Sequence, residues 1–244
     1  MAKTKLIAEK SDIMAQAEAP EKLTSPSIDP DEVEKFSRMA AEWWDPDSKF
    51  KPLHKFNPAR LAYIRDALIS HFDLAAGDTP LKGLKLLDIG CGGGLIAEPM
   101  ARLGASVTAV DAAAEQLLED GGAQFDVVLN LEVVEHVADP DQFLKDCARL
   151  LKPGGLMIVG SINRTSKAFV FAIFGAEWVM RWLPHGTHRF EKLVKPSEVR
   201  RALSDEGLTV SPAVGVSYNP LKDGFEITGD DSVNYLMPAV KPSA

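Results

Sequence analysis

Two acids and an imidazole, Glu132, Glu135 and His136, stand in "LNLEVVEHVADP" directly after the apolar run "FDVVLN". On a helix the spacing i, i+3, i+4 gathers three side chains on one face, where they could meet one ligand or one ion. Acids at a helix start also complement its dipole. Position favours chemistry, because ligands of open α/β sheets bind beyond the carboxyl ends of the strands. A second constellation lies in "LLDIGCGGGLIAEPMARLGASVTAVD", where Asp88, Gly90, Gly92 and Gly94 mark a strand-to-helix junction and Asp111 closes a second strand. Glycines let backbone approach a ligand without a Cβ clash. An acid at the second strand's end can accept both hydroxyl hydrogens of a ribose. A dinucleotide fingerprint would place a third small residue where Leu95 stands, so the loop does not fit that class.

These residues need a scaffold, and the chain from residue 84 supplies its grammar. "LKLLDIG", "ASVTAVD", "FDVVLN" and "GGLMIVGSIN" read as strands, with helices predicted near 94–103, 133–137, 140–151 and 196–206. Such alternation implies an α/β fold, a mostly parallel sheet with helices on both faces. Upstream, Val33, Phe36, Met39, Ala40 and Trp43 keep helical spacing in an amphipathic N-terminal helix. Residues 1–30 lack a signal-peptide core and contain no arginine, and they read as a mobile tail. The remainder, 31–244, reads as one domain.

The chain has 244 residues, a net charge of −8 and a pI near 5.2, which argues against a general nucleic-acid surface. Cys91 and Cys147 have neither disulfide-framework nor zinc-type spacing, and a reducing cytoplasm suits them.

The pattern Asp88-x-Gly90-x-Gly92-x-Gly94 resembles the glycine loop of class I S-adenosylmethionine-dependent methyltransferases, and "FDVVLN" and "LLKPGGLMIVG" resemble that superfamily's fourth- and fifth-strand motifs. Four further stretches narrow it: "AAEWWDPDSKFKPLHKFNPARLAYI", "EVVEHVADP", "GTHRFEKLVKPSE" and "GVSYNPLKDGFEITGDDSVNYLM". Together they resemble the ubiquinone-biosynthesis O-methyltransferase family over residues 31–237. The resemblance implies a Rossmann-like class I methyltransferase sheet and S-adenosylmethionine as cofactor. It implies that Arg60, Gly90, Asp111 and Leu131 contact that cofactor, with Arg60 at the methionyl carboxylate, a geometry that suits arginine. The reaction implied is O-methylation of a polyprenyl catechol in ubiquinone biosynthesis. A soluble phenol, or a catalytically impaired cofactor-binding protein at the membrane, are the alternatives.

A phenol with pKa near 10 is about one part in a thousand ionised at neutral pH, a deficit of roughly 4 kcal/mol. Two mechanisms therefore stand side by side for the catalytic set Glu132, Glu135 and His136. The three could hold a divalent ion, magnesium by the resemblance, that binds a catecholate, or His136 alone could take the phenolic proton.

Residues 161–201 carry eight Lys/Arg and three Asp/Glu, a local +5 against −13 elsewhere. Phe171, Phe174, Trp178 and Trp182 recur there at helical spacing. Aromatics beside cations are what an interfacial helix uses on anionic lipid. With a polyprenyl substrate this segment becomes a lid or membrane-facing insertion, and the resemblance implies an enzyme peripheral at the inner face of the membrane, with other ubiquinone-biosynthesis enzymes as candidate partners. One feature departs from the family. Only thirteen residues, "AAAEQLLEDGGAQ", join Asp111 to Phe125, where the resemblance requires a helix, a strand and a return, and one crossover ordinarily takes a dozen or more. The join is read as a place where residues are absent from the sequence, which leaves the adenine contacts unassigned.

Overall fold

The computed structural model describes residues 43–48, 51–110, 117, 124–169 and 190–243. The expected tail, the Val33–Ala40 part of the predicted N-terminal helix, Asp111, all of the short join after it but Leu117 and Gln124, and residues 170–189 of the insertion lie outside the described residues.

Helices α1 (Lys51–His71), α2 (Ala97–Arg102), α3 (Pro140–Arg149), α4 (Ser166–Ala168) and α5 (Pro196–Asp205) surround a sheet of eight strands. These are β1 (Lys85–Ile89), β2 (Ser106–Val110), β3 (Phe125–Leu131), β4 (Leu151–Ile162), β5 (Thr209–Val210), β6 (Val214–Asn219), β7 (Gly224–Thr228) and β8 (Asn234–Val240). Their order is β2-β1-β3-β4-β8-β6-β7, with β5 also on β8. The first four are parallel and the remainder antiparallel.

Alternation along the strands divides the core into two layers. Leu86, Val127, Leu129 and Ile158 pack with Phe56, Ile64 and Leu68 of α1 and Met100 of α2. Leu87, Val128, Met157 and Val159 pack with Phe143 and Leu144 of α3 and Val199 and Leu203 of α5. Both faces are covered, which is why the central parallel strands read as unbroken apolar runs. Asp139 caps α3 by accepting a bond from the Gln142 N–H at 3.0 Å, with Pro140 in the first turn.

The four predicted strands form, three of the predicted helices form with altered ends, and the fourth does not. Residues 133–137 make turns rather than a helix, so the one-face helical spacing of Glu132, Glu135 and His136 does not apply. The helix expected from residue 94 begins at Ala97, because the loop glycines take left-handed conformations that do not belong in a helix. Helix α1 and strands β5 to β8 escaped the sequence reading. A proline inside each of α1 and β8 argues against regular structure. In β8, Pro238 falls between the stretch paired with β6 and the stretch paired with β5, so its missing N–H interrupts neither ladder.

Candidate functional site

The parallel strands β1, β3 and β4 end on one side of the sheet, and α1, packed along one sheet face from that side toward Gly154 near the start of β4, brings Arg60 there. Asn57 and Arg60 of "NPAR" are one helical turn apart, so they share a face. Arg60 is buried, donates through Nη2 to the Asn57 Oδ1, and sits 4.3 Å over the Phe56 ring. Its Nη1 lies 3.8 Å from Oε1 of Glu132. Among the described residues its Nε and Nη1 have no hydrogen-bond partner, an unusual state for buried donors. Burial lowers the guanidinium pKa, and Glu132, Asp88 and Glu135 counter it.

After β1 the chain turns through Gly90, Gly92 and Gly94, at φ of 72°, 49° and 78°. A Cβ on Gly90 would fall 2.1 Å from Cγ2 of Val133, so only glycine fits between the loop and the turn that follows β3. The N–H groups of Gly90 and Cys91 donate to the Val110 carbonyl at 2.7 and 3.2 Å, which ties the loop to the end of β2. Asp111, the next residue, lies outside the described residues.

At the end of β3, Leu131 is buried among core side chains, so only its main chain is left to meet a ligand. The Glu132 N–H donates to the Gly160 carbonyl at 2.9 Å, and Glu132 holds φ 61°, a conformation that is costly for a residue with a Cβ and that clusters at functional sites. Burial, then the neighbouring Glu135, push the Glu132 carboxyl up to about 7, with Arg60 and His136 opposing. Glu135 is buried and accepts a bond from Ser161 Oγ at 2.9 Å, while its Oε1 has no hydrogen-bond partner among the described residues. Burial raises its pKa also, against the pull of His136. The His136 N–H closes a turn onto the Val133 carbonyl at 2.8 Å.

The sequence-predicted residues Arg60, Glu132, Glu135 and His136 therefore meet in one electrostatic cluster, beside the Gly90 loop. Among the described residues no three His, Cys, Asp or Glu side chains are already grouped around one point. Glu132 faces the Arg60 cation, and Glu135 is engaged by Ser161. The donors fit a cofactor carboxylate better than a cation, because the open N–H groups of Arg60 match a planar anion. Sequence reasoning missed Asn57 and Ser161. Asn57 stands in the quoted "NPAR", and Ser161 is the polar residue near the end of the apolar β4 run.

A family profile described as a methyltransferase domain matches residues 60–212. The ubiquinone biosynthesis O-methyltransferase of Maricaulis maris is 61% identical, with 94% of this chain and 100% of that protein covered. The protein of the same name from Chelativorans is 53% identical, covering 89% and 96%. Among solved structures, magnesium protoporphyrin IX methyltransferase from Synechocystis with bound SAM superposes with TM-score 0.55 at 17% identity, over 89% of this chain and 100% of that one. A possible histamine N-methyltransferase from Thermotoga maritima gives 0.53 at 18% identity, over 86% and 98%. Both structures share the class I, Rossmann-like methyltransferase fold with this chain. The Maricaulis alignment spans 254 positions but holds 94% of these 244 residues, about 229, so about 25 of its positions face no residue of this chain. The Chelativorans alignment, 243 positions holding 89%, leaves about 26.

Proposed function

Because this chain belongs to the ubiquinone-biosynthesis O-methyltransferase family, we propose that it transfers a methyl group from S-adenosylmethionine to a phenolic oxygen of a polyprenylated catechol. The cluster of Arg60, Glu132, Glu135 and His136 at the carboxyl ends of the strands is the single observation that carries the reading to particular residues. The cofactor, when bound, supplies an electrophilic methyl on a sulfonium.

The chain's own residues hold and orient. Arg60, fixed by Asn57 and Phe56, presents two open N–H donors to the methionyl carboxylate. Gly90 brings backbone close to the cofactor, and the Leu131 main chain lines the opposite strand end. Asp111 is assigned the ribose hydroxyls from its place after the second strand and from the resemblance. Glu132, whose proton affinity is tuned toward neutrality, and His136 next to it are the groups that take the phenolic proton. Glu135, braced by Ser161, raises the basicity of Glu132 through like charge.

A divalent ion held by Glu132, Glu135 and His136 is the second reading, favoured by two carboxylates and an imidazole at one strand end. It requires Glu132 to leave Arg60. We place the enzyme at an anionic membrane surface, where a polyprenyl substrate resides, with the basic and aromatic segment 161–201 as the docking element. No described helix is long and apolar enough to cross a membrane.

The decisive experiment incubates the protein with methyl-labelled S-adenosylmethionine and a short-chain prenyl catechol, with magnesium or with chelator. Label in the catechol ether supports the reading, and its absence under both conditions defeats it. Loss on chelation selects the metal, whereas retained turnover selects the protein base.

A further inference from the structure

Trp43 lies directly on the glycine loop. A Cβ on Gly92 would meet the far edge of its indole, Cη2 at 2.6 Å and Cζ2 at 2.8 Å. One on Gly93 would meet the near end, Cβ at 2.5 Å and Cγ at 2.6 Å. The indole thus runs along two successive glycines, and neither position admits a side chain without displacing it. Gly92 has a second reason to be glycine in its φ of 49°. Gly93 is not among the positive-φ glycines, so the approach of Trp43 accounts for its missing side chain.

The main chain that carries the ring is held in place. His54 Nε2 donates to the Trp43 carbonyl at 2.9 Å, and His54 belongs to α1, six residues before Arg60. Between Trp43 and α1 the chain is braced by turns: Ser48 donates to the Asp45 carbonyl through N–H at 3.1 Å and Oγ at 2.7 Å, and the Lys51 N–H donates to the Ser48 carbonyl at 3.0 Å. Neighbouring Trp44 points out, 56% exposed, while Trp43 is half-buried. One helix therefore carries both the arginine of the cluster and the anchor of the indole.

We propose that Trp43, anchored by His54 and seated on Gly92 and Gly93, is a further cofactor-site residue that walls the glycine loop and retains the sulfonium cofactor against release. The inference rests on reading that loop as the cofactor cradle. An indole excludes water from a large area at little cost in rotamer freedom, so its contribution falls on dissociation rather than on encounter.

The test measures S-adenosylmethionine and S-adenosylhomocysteine binding, by calorimetry and stopped flow, for the parent, Trp43→Phe, Trp43→Ala and His54→Ala. Trp43→Ala is expected to raise both Kd values at least tenfold, chiefly through faster dissociation, with Trp43→Phe intermediate and His54→Ala weaker by severalfold. Binding within twofold of the parent in Trp43→Ala would overturn the proposal, whatever that variant's melting temperature. Should Trp43→Ala not fold, a variant with Trp44, Trp178 and Trp182 all changed to Phe leaves Trp43 as sole tryptophan. Its emission should shift on saturation with S-adenosylhomocysteine, and unchanged emission at saturation would overturn the assignment. A parent that binds neither compound defeats both the cradle and the wall; a parent that binds as tightly as Trp43→Ala defeats the wall alone.

Discussion

Glu132 is strained in its backbone, partly buried, and placed between one cation and another acid, so its proton is where the site's electrostatics can be read directly. A carboxyl pushed up to about 7 from 4.5 holds its proton more tightly folded than unfolded. Its contribution to stability is present below about pH 4.5 and is lost as pH rises through about 7, on the order of 3 kcal/mol in all. Glu132→Gln should remove that decline, and Glu135→Gln should lessen it by deleting the like charge. Urea unfolding at pH 5 and pH 8 measures both, and an identical pH difference in parent and Glu132→Gln would contradict the assignment. The loop glycines make a paired prediction. Gly90→Ala meets both positive φ and Val133, whereas Gly94→Ala has positive φ with nothing within 4 Å. The second should cost about 1–2 kcal/mol, the price of a left-handed alanine, and leave S-adenosylhomocysteine binding measurable; the first should cost more and abolish it.

Among the elements, α1 bears most directly on the site because it delivers Asn57, Arg60 and the His54 anchor together. Asn57→Ala removes the one hydrogen bond made by the buried guanidinium among the described residues, and should cost about 1.5–3 kcal/mol of stability while weakening cofactor binding. A denaturation midpoint unchanged from the parent would show that Arg60 finds another partner. The segment 161–201 has its own signature. Each Lys or Arg near an anionic leaflet contributes about 1 kcal/mol, enough together to outweigh the repulsion of an acidic protein. Sedimentation with anionic vesicles should exceed that with neutral ones, fall with salt, and fall further when Trp178 and Trp182 become polar. Equal partition into both vesicles would remove the electrostatic role.

For the whole molecule, the shortfall of about 25 positions against both relatives agrees with the connection after Asp111 being too short for the elements the family places there. Strand β2 shows a corresponding weakness: Ser106, Thr108 and Ala109 are exposed, while Leu86 to Ile89 of β1 are buried. A strand with little cover opens at low free energy. Amides of β2 should exchange hydrogen at least a hundredfold faster than those of β1 and β3. Inserting the Maricaulis maris stretch that follows the position of Asp111 should slow that exchange and tighten cofactor binding. Comparable protection of β1 and β2 in the present chain would show that its edge is already covered.

Local chemistry determined what the sequence could tell by itself. Unbroken apolar runs and a glycine-rich junction specify buried parallel strands and a close backbone approach, because those constraints act within a few residues. The grouping of Glu132, Glu135 and His136 was legible through their spacing, although the helix expected for them is a set of turns, whereas Arg60 was reached only through the family resemblance. Tertiary structure alone decided the rest. Only the packing of α1 along the sheet brings Arg60 to Glu132, and only β4 brings Ser161 to Glu135. The strands β6 to β8, whose proline and short runs hide their pairing, exist because β4 offers them an edge. Trp43 meets Gly93 fifty residues away because the turn at 45–48 and the His54 bond fold it back, and no periodicity along the chain encodes a contact of that range.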